Sequence, residues 1–175
     1  MKRNNGRRRT LQRSLFVSAF LLTSMRALAA ATLYSVTDLG SLPYGGNDTY
    51  ATGLNNAGQV VGYSSSGVFL YSGGRMTELP VGTFAAQFSA SVTESKVGIN
   101  DAGQVTGGFG NAPADAFIYS NGQLTHLGGE GSFGHSINNA GQVTGGRISI
   151  LSSVFLYSNG QFVDLGINGT GYSIK

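Results

Sequence analysis

The sequence predicts an all-β fold made of repeats of four short antiparallel strands, and three observations predict it. First, one segment occurs three times: Leu54-Asn55-Asn56-Ala57-Gly58-Gln59-Val60, Ile99-Asn100-Asp101-Ala102-Gly103-Gln104-Val105 and Ile137-Asn138-Asn139-Ala140-Gly141-Gln142-Val143. Second, each copy is followed by another shared segment: Phe69-Leu70-Tyr71-Ser72, Phe117-Ile118-Tyr119-Ser120 and Phe155-Leu156-Tyr157-Ser158. Third, the spacing from Ala57 to Ala102 is 45 residues and from Ala102 to Ala140 is 38. A period of about 40 residues marks supersecondary units that bury their apolar faces on one another.

Within one unit, Thr52 to Asn55 reads as a short strand, and Asn56-Ala57-Gly58 as a three-residue hairpin turn. Asn tolerates turn geometry and Gly accepts the positive φ of a closing bulge. Gln59 to Tyr63 is the second strand. Ser64-Ser65-Ser66-Gly67 is a polar loop. Val68 to Tyr71 is the third strand, rich in β-branched, aromatic and aliphatic residues. Gly73-Gly74 turns the chain into a fourth strand, Met76 to Leu79. In the other units Asn121-Gly122 and Asn159-Gly160 replace the glycine pair. Asn-Gly between two such strands predicts a type I′ turn, with positive φ at both central residues. Leu124 to Leu127 and Phe162 to Leu165 are the matching fourth strands.

The units therefore span about 51–79, 97–127 and 135–165. Sustained helical periodicity is missing, and only Phe84-Ala85-Ala86-Gln87-Phe88 suggests one helical turn. Four strands in about 40 residues is the size of a propeller blade. The expected architecture is propeller-like, with three blades plus partial units, and an open β-array or solenoid is the alternative. Gly62, Gly107 and Gly145 share one strand position, where glycine marks close backbone approach. Phe69, Phe117 and Phe155 share another, where a buried ring would separate adjacent units.

Partial units flank the three copies. Val36-Thr37-Asp38-Leu39-Gly40 matches a fourth strand, within 34–40. Gly171-Tyr172-Ser173-Ile174 matches Gly134-His135-Ser136-Ile137, within 171–175. The expectation is a member of a longer array, or else self-association through unpaired edge strands.

Residues 1–29 read as a secretory signal peptide. Basic residues from Lys2 to Arg13 precede the apolar run Leu15-Phe16-Val17-Ser18-Ala19-Phe20-Leu21-Leu22, and Ala27-Leu28-Ala29 is a cleavage signal. The stretch from Leu15 to Met25 is 11 residues, too short for a bilayer span of about 20. Arg8-Arg9-Thr10-Leu11 loosely resembles a twin-arginine signal, and a general secretory leader is favoured. The repeat domain is then 30–175, with no membrane span after signal removal. The predicted location is extracellular or at the cell surface, with the periplasm as the alternative.

The leader holds seven of the 11 basic residues. The remainder keeps Arg75, Lys96, Arg147 and Lys175 against 8 acidic residues, a net charge of −4. A mildly acidic surface without a basic patch argues against nucleic acid. With no cysteine, the fold uses neither disulfides nor thiolate metal sites.

The residues Tyr34-Ser35-Val36-Thr37-Asp38-Leu39-Gly40, the Asn-Asn-Ala-Gly-Gln-Val turn and Ala116-Phe117-Ile118-Tyr119-Ser120 resemble the bacterial HAF-repeat extracellular proteins. The resemblance runs from about Tyr34 to the last residue. The His-Ala-Phe triplet that names the family reads Gly67-Val68-Phe69, Asp115-Ala116-Phe117 and Ser153-Val154-Phe155 here, without the His. The resemblance implies a secreted or cell-surface repeat protein with no established enzymatic activity, and it supplies no catalytic residues.

The residues themselves assign no catalytic, cofactor-binding or metal site. His126 stands on an outer strand where other units carry Glu78 and Asp164, the pattern of a solvated face. His135 lies just before a short strand, and no acid or nucleophile is tied to either His by spacing. The Asn/Asp turns hold one carboxylate in total, whereas calcium wants 6–8 oxygens with several carboxylates. Tyr71, Tyr119 and Tyr157 recur in register, which points to packing rather than sugar stacking. The better binding candidates are the variable segments Phe109 to Asp115, Arg147 to Ser153 and Pro80 to Lys96. The expected function is a binding or surface-interaction module for an extracellular glycan or protein. The rivals are a structural surface or matrix component, and a propeller-type hydrolase or lyase in a longer protein.

Overall fold

In the computed structural model, residues 34–42, 49–64, 66–81, 96–108, 115–148 and 152–175 are described. The signal-peptide segment and the helical turn expected near Phe84 lie outside them. The described elements are all strands, with no helix among them.

Each repeat folds as its turn chemistry dictates. The first comprises β1 (Thr49–Leu54), β2 (Val60–Ser64), β3 (Val68–Ser72) and β4 (Arg75–Glu78). The second comprises β5 (Gly98–Ile99), β6 (Val105–Gly108), β7 (Ala116–Ser120) and β8 (Gln123–Gly128). The third comprises β9 (Ser132–Ile137), β10 (Val143–Arg147), β11 (Ser153–Ser158) and β12 (Gln161–Asn168). All three are antiparallel four-stranded sheets whose strands pair in sequence order. The three sheets belong to one unit, residues 37–175.

The turns take the conformations their residues allow. Gly58, Gly103 and Gly141 have φ of 74°, 75° and 76°. Asn121-Gly122 and Asn159-Gly160 have φ of 50° and 80°, and 52° and 77°. These are the positive values a type I′ turn requires.

The recurring glycines and phenylalanines are cross-strand partners. Gly62 pairs with Phe69, Gly107 with Phe117 and Gly145 with Phe155. A Cβ on Gly107 would meet the Phe117 ring at 2.9 Å, and one on Gly145 would meet the Phe155 ring at 2.9 Å. The missing side chain is what lets the ring lie flat over its own sheet, and all three rings are buried.

The core lies between successive sheets. Phe117 packs with Val61, Val68, Leu79 and Val81 of the first repeat and with Val97 and Val105 of its own. Phe155 packs with Ala116 and Leu127 of the second repeat and with Ile137 and Val143 of its own. Burying one such ring stabilises by roughly 1.5–3 kcal/mol. Phe117 and Phe155 thus each couple their sheet to the preceding one.

Two expectations are corrected. Residues 36–40 form no strand, since among the described residues no strand pairs with them and an extended segment needs a ladder partner. Among the described residues, their hydrogen bond is a local one, from the Gly40 amide to Asp38 Oδ1 at 2.9 Å. His135 lies inside β9 rather than before it, since Ser132 and Phe133 extend that strand to pair with Arg147 and Gly146.

Candidate functional site

The first asparagine of each turn holds the turn together and then reaches the next repeat. Asn55 Oδ1 accepts from the amides of Ala57 (3.1 Å) and Gln59 (2.9 Å). Its Nδ2 donates to Gln59 Oε1 at 2.7 Å and to the Asn100 carbonyl at 3.0 Å. Asn100 repeats this, donating to Gln104 Oε1 at 2.7 Å and to the Asn138 carbonyl at 2.9 Å. Asn138 donates to Gln142 Oε1 at 2.8 Å and to the Lys175 carbonyl at 3.1 Å. A buried amide that lost these partners would carry a desolvation cost of roughly 1–3 kcal/mol. The ladder brings the three turns to one side of the molecule.

The second residues of the turns form an exposed row. Asp101 accepts from the Asn56 amide at 3.0 Å, from Asn56 Nδ2 at 2.9 Å and from Asn139 Nδ2 at 2.9 Å. The Asp101 amide donates to Asn139 Oδ1 at 2.9 Å. The bonds from the Asn56 amide, Asn139 and the Asn56 side chain hold the Asp101 carboxyl below its ordinary range.

Behind this row is a concavity of about 580 Å³, within the usual range for small-ligand sites. Its large aliphatic lining residues are Leu54, Ile99, Ile137 and Ile174; the first three each immediately precede a turn, and Ile174 holds the equivalent position in 171–175. Asn56, Asp101 and Asn139 line it as well. The arrangement can offer an aliphatic floor, amide groups and one carboxylate to a non-covalent ligand.

An aromatic group lies beside β9. Tyr172 stacks on His135 with centroids 5.8 Å apart, and Lys96 Nζ stands 4.4 Å from the Tyr172 ring centroid. The buried, stacked setting of His135 is a packing environment. Among the described residues, no group of three His, Cys, Asp or Glu could hold a metal ion.

The other candidates separate. His126, Glu78 and Asp164 stand opposite Phe117, Phe69 and Phe155 on the fourth strands, and all three are exposed. Tyr119 and Tyr157 pack against the two core clusters. The interiors of the segments 80–96, 109–115 and 147–153 lie outside the described residues. At the start of the last segment, Arg147 meets Asp164 at 3.3 Å and donates through Nε to the Glu130 carbonyl at 3.1 Å. Asp164 also accepts from the Gly166 amide at 2.9 Å and from Ser153 Oγ at 2.8 Å. The Gly166 bond first, then the Ser153 and Arg147 contacts, hold its carboxyl below the ordinary range.

Sequence reasoning gave the turns a capping role and missed their convergence. The available signal was the aliphatic residue before Asn in every copy. Comparison with protein-family models, curated proteins and solved structures yields no match to this chain.

Proposed function

We propose that this chain is an extracellular binding or surface-interaction module, built as an array of propeller-type blades, that holds its ligand in the concavity at the turn face. The sequence supports export through the leader at 1–29, and the HAF-repeat resemblance points the same way. The propeller reading is supported by three equivalent meanders, by first strands that neighbour one another, and by a phenylalanine between successive sheets. One observation carries the choice of site: three repeats, 45 and 38 residues apart, send their turns to the rim of a single concavity. Binding sites favour such places, where several elements meet and a few polar groups surround an apolar floor.

No catalytic role is proposed, because no acid, base or nucleophile is arranged with another there. The reading is tested by exposing residues 30–175 to glycan and peptide arrays, then repeating the assay with Leu54→Asp. Leu54 is 69 % exposed at the concavity, so the substitution leaves the fold within about 0.5 kcal/mol. The expected result is retention of a defined glycan or peptide class, weakened at least tenfold by the substitution. Retention of nothing, or retention indifferent to Leu54→Asp and Asn139→Ala, contradicts the proposal.

A second reading, a structural surface component that assembles with other repeats, is favoured by exposed apolar residues on β12.

A further inference from the structure

We propose that the outer face of the third sheet is the seat of a further unit of the same repeat pattern, offered by a partner polypeptide as a β-meander in which glycine faces phenylalanine. The inference rests on the equivalence of the three sheets and is independent of any ligand in the concavity.

Leu79, Leu127 and Leu165 occupy one repeat position. Each comes directly after the residue paired with the shared phenylalanine: Glu78 opposite Phe69, His126 opposite Phe117 and Asp164 opposite Phe155. Leu79 is 6 % exposed and Leu127 is 5 % exposed, whereas Leu165 is 43 % exposed. The difference lies in the neighbouring repeat. Leu79 packs in one core with Phe117 of the next repeat, and Leu127 packs with Phe155 of the next. Leu165 belongs to neither core, and Val163 and Ile167 beside it are also exposed. Asp164, the charged residue of this strand, is engaged by Arg147 and Ser153. The uncovered strip is therefore a third copy of a face that is covered twice within the chain.

Residues 171–175 also continue the cross-repeat bonding pattern beside the third sheet. The Ile174 amide donates to Ser136 Oγ at 3.2 Å, and Asn138 donates to the Lys175 carbonyl as Asn100 does to Asn138. The Gly171 amide donates to the Gly145 carbonyl at 3.1 Å. Residues 171–175 thus stand where a first strand stands.

The chemistry of the occupant is read from the two internal interfaces. It needs a Val-x-Gly strand and an adjoining strand with phenylalanine opposite the glycine, as in Val105-Thr106-Gly107 and Ala116-Phe117-Ile118. Glycine lets the ring lie flat, and the ring then covers leucine. Apolar area removed from water supplies the drive, and the backbone groups of Tyr172 and Ser173 offer strand pairing.

The probe is a labelled peptide of residues 102–128 added to the chain 30–175. Expected are saturable binding, at least tenfold weakening by Leu165→Lys in the chain or Phe117→Ala in the peptide, and new hydrogen-exchange protection at 163–167 and 171–174. To guard against a peptide that does not fold alone, the same segment is also fused after Lys175. The fusion is expected to raise Tm by about 4 °C or more and to protect 163–167, and Phe117→Ala in the added copy is expected to abolish both effects. If neither the peptide nor the fusion protects 163–167, or if binding survives Leu165→Lys, the proposal is overturned. A chain that is dimeric by itself, with 163–167 already protected, assigns the strip to a second copy and also overturns it.

Discussion

Asn100 donates its side-chain amide to the main-chain carbonyl of Asn138, 38 residues later, at 2.9 Å. Asn55 does the same to Asn100 at 3.0 Å. One amide thereby closes a local turn and also fixes the position of the next repeat. Asn100→Ala removes both donations and the bond that Asn100 Oδ1 accepts from the Gln104 amide at 2.9 Å. The expected loss is about 2–3 kcal/mol, because part-buried partners are left without replacement. Thermal denaturation should show a Tm lower by roughly 5–10 °C. Asn138→Ala should cost less, since its cross-repeat bond to Lys175 is exposed.

The three glycines that face phenylalanine differ in what else surrounds them. A Cβ at Gly62 would collide with the Tyr50 carbonyl, and one at Gly145 with the Phe133 carbonyl. At Gly107 the close neighbours are the Phe117 ring at 2.9 Å and Val97 at 3.7 Å. Among the described residues, β5 spans only two residues and no strand carbonyl crowds Gly107. Side chains adjust more readily than paired backbone. Gly62→Ala and Gly145→Ala should therefore destabilise more than Gly107→Ala, by at least about 1 kcal/mol on the usual overpacking scale. Urea midpoints of the three variants provide the ranking.

Gly73 offers a stabilising change. It opens the first type I′ turn with φ of 59°, where the other repeats place Asn121 and Asn159 at 50° and 52°. No atom lies within 4 Å of a Cβ built there. Gly73→Asn should stabilise by roughly 0.5 kcal/mol, chiefly by restricting the unfolded chain. Gly74→Asn, at φ of 81°, serves as the control. A fall in Tm for Gly73→Asn would contradict the turn assignment.

Asp101 and Asp164 both have carboxyls held below their ordinary range by hydrogen bonds. A carboxyl with a lowered folded pKa stabilises above its unfolded value, about 3.9 for aspartate. That contribution is lost as pH falls through the lower folded value. Stability should hold from neutral pH down to about 4 and decline below it. Asp101→Asn should flatten the decline, as read from urea midpoints between pH 2 and 7. An unchanged acid profile in both Asp101→Asn and Asp164→Asn would contradict this assignment.

The parts of the fold legible in the sequence were those written in local chemistry or in repetition. Asn121-Gly122 and Asn159-Gly160 specify their turns because few residues accept positive φ. Phe69, Phe117 and Phe155 declared themselves by recurring, and so did the glycines opposite them. The links between repeats were not legible. Nothing in Asn55 announces that its amide serves a carbonyl 45 residues away, because that bond depends on how two turns stack. His126 was readable as solvated from its substitution by Glu and Asp, whereas His135 was displaced by a strand that begins earlier than its glycine suggests. The concavity escaped for the same reason as the amide ladder. Leu54, Ile99 and Ile137 are far apart in the chain, and only packing brings them together. The uncovered Leu165 has the same sequence context as the buried Leu127, so its exposure belongs to tertiary structure alone.

The central claim is that three equivalent sheets bury one another's apolar faces, with Phe117 seated between the first two. Phe117→Ala, followed by hydrogen exchange and thermal unfolding, tests it most directly. The expected result is a loss of about 3–5 kcal/mol, a Tm lower by about 10 °C, and protection lost together in β2, β3, β6 and β7. An unchanged Tm, or loss of protection confined to β7 alone, would contradict it.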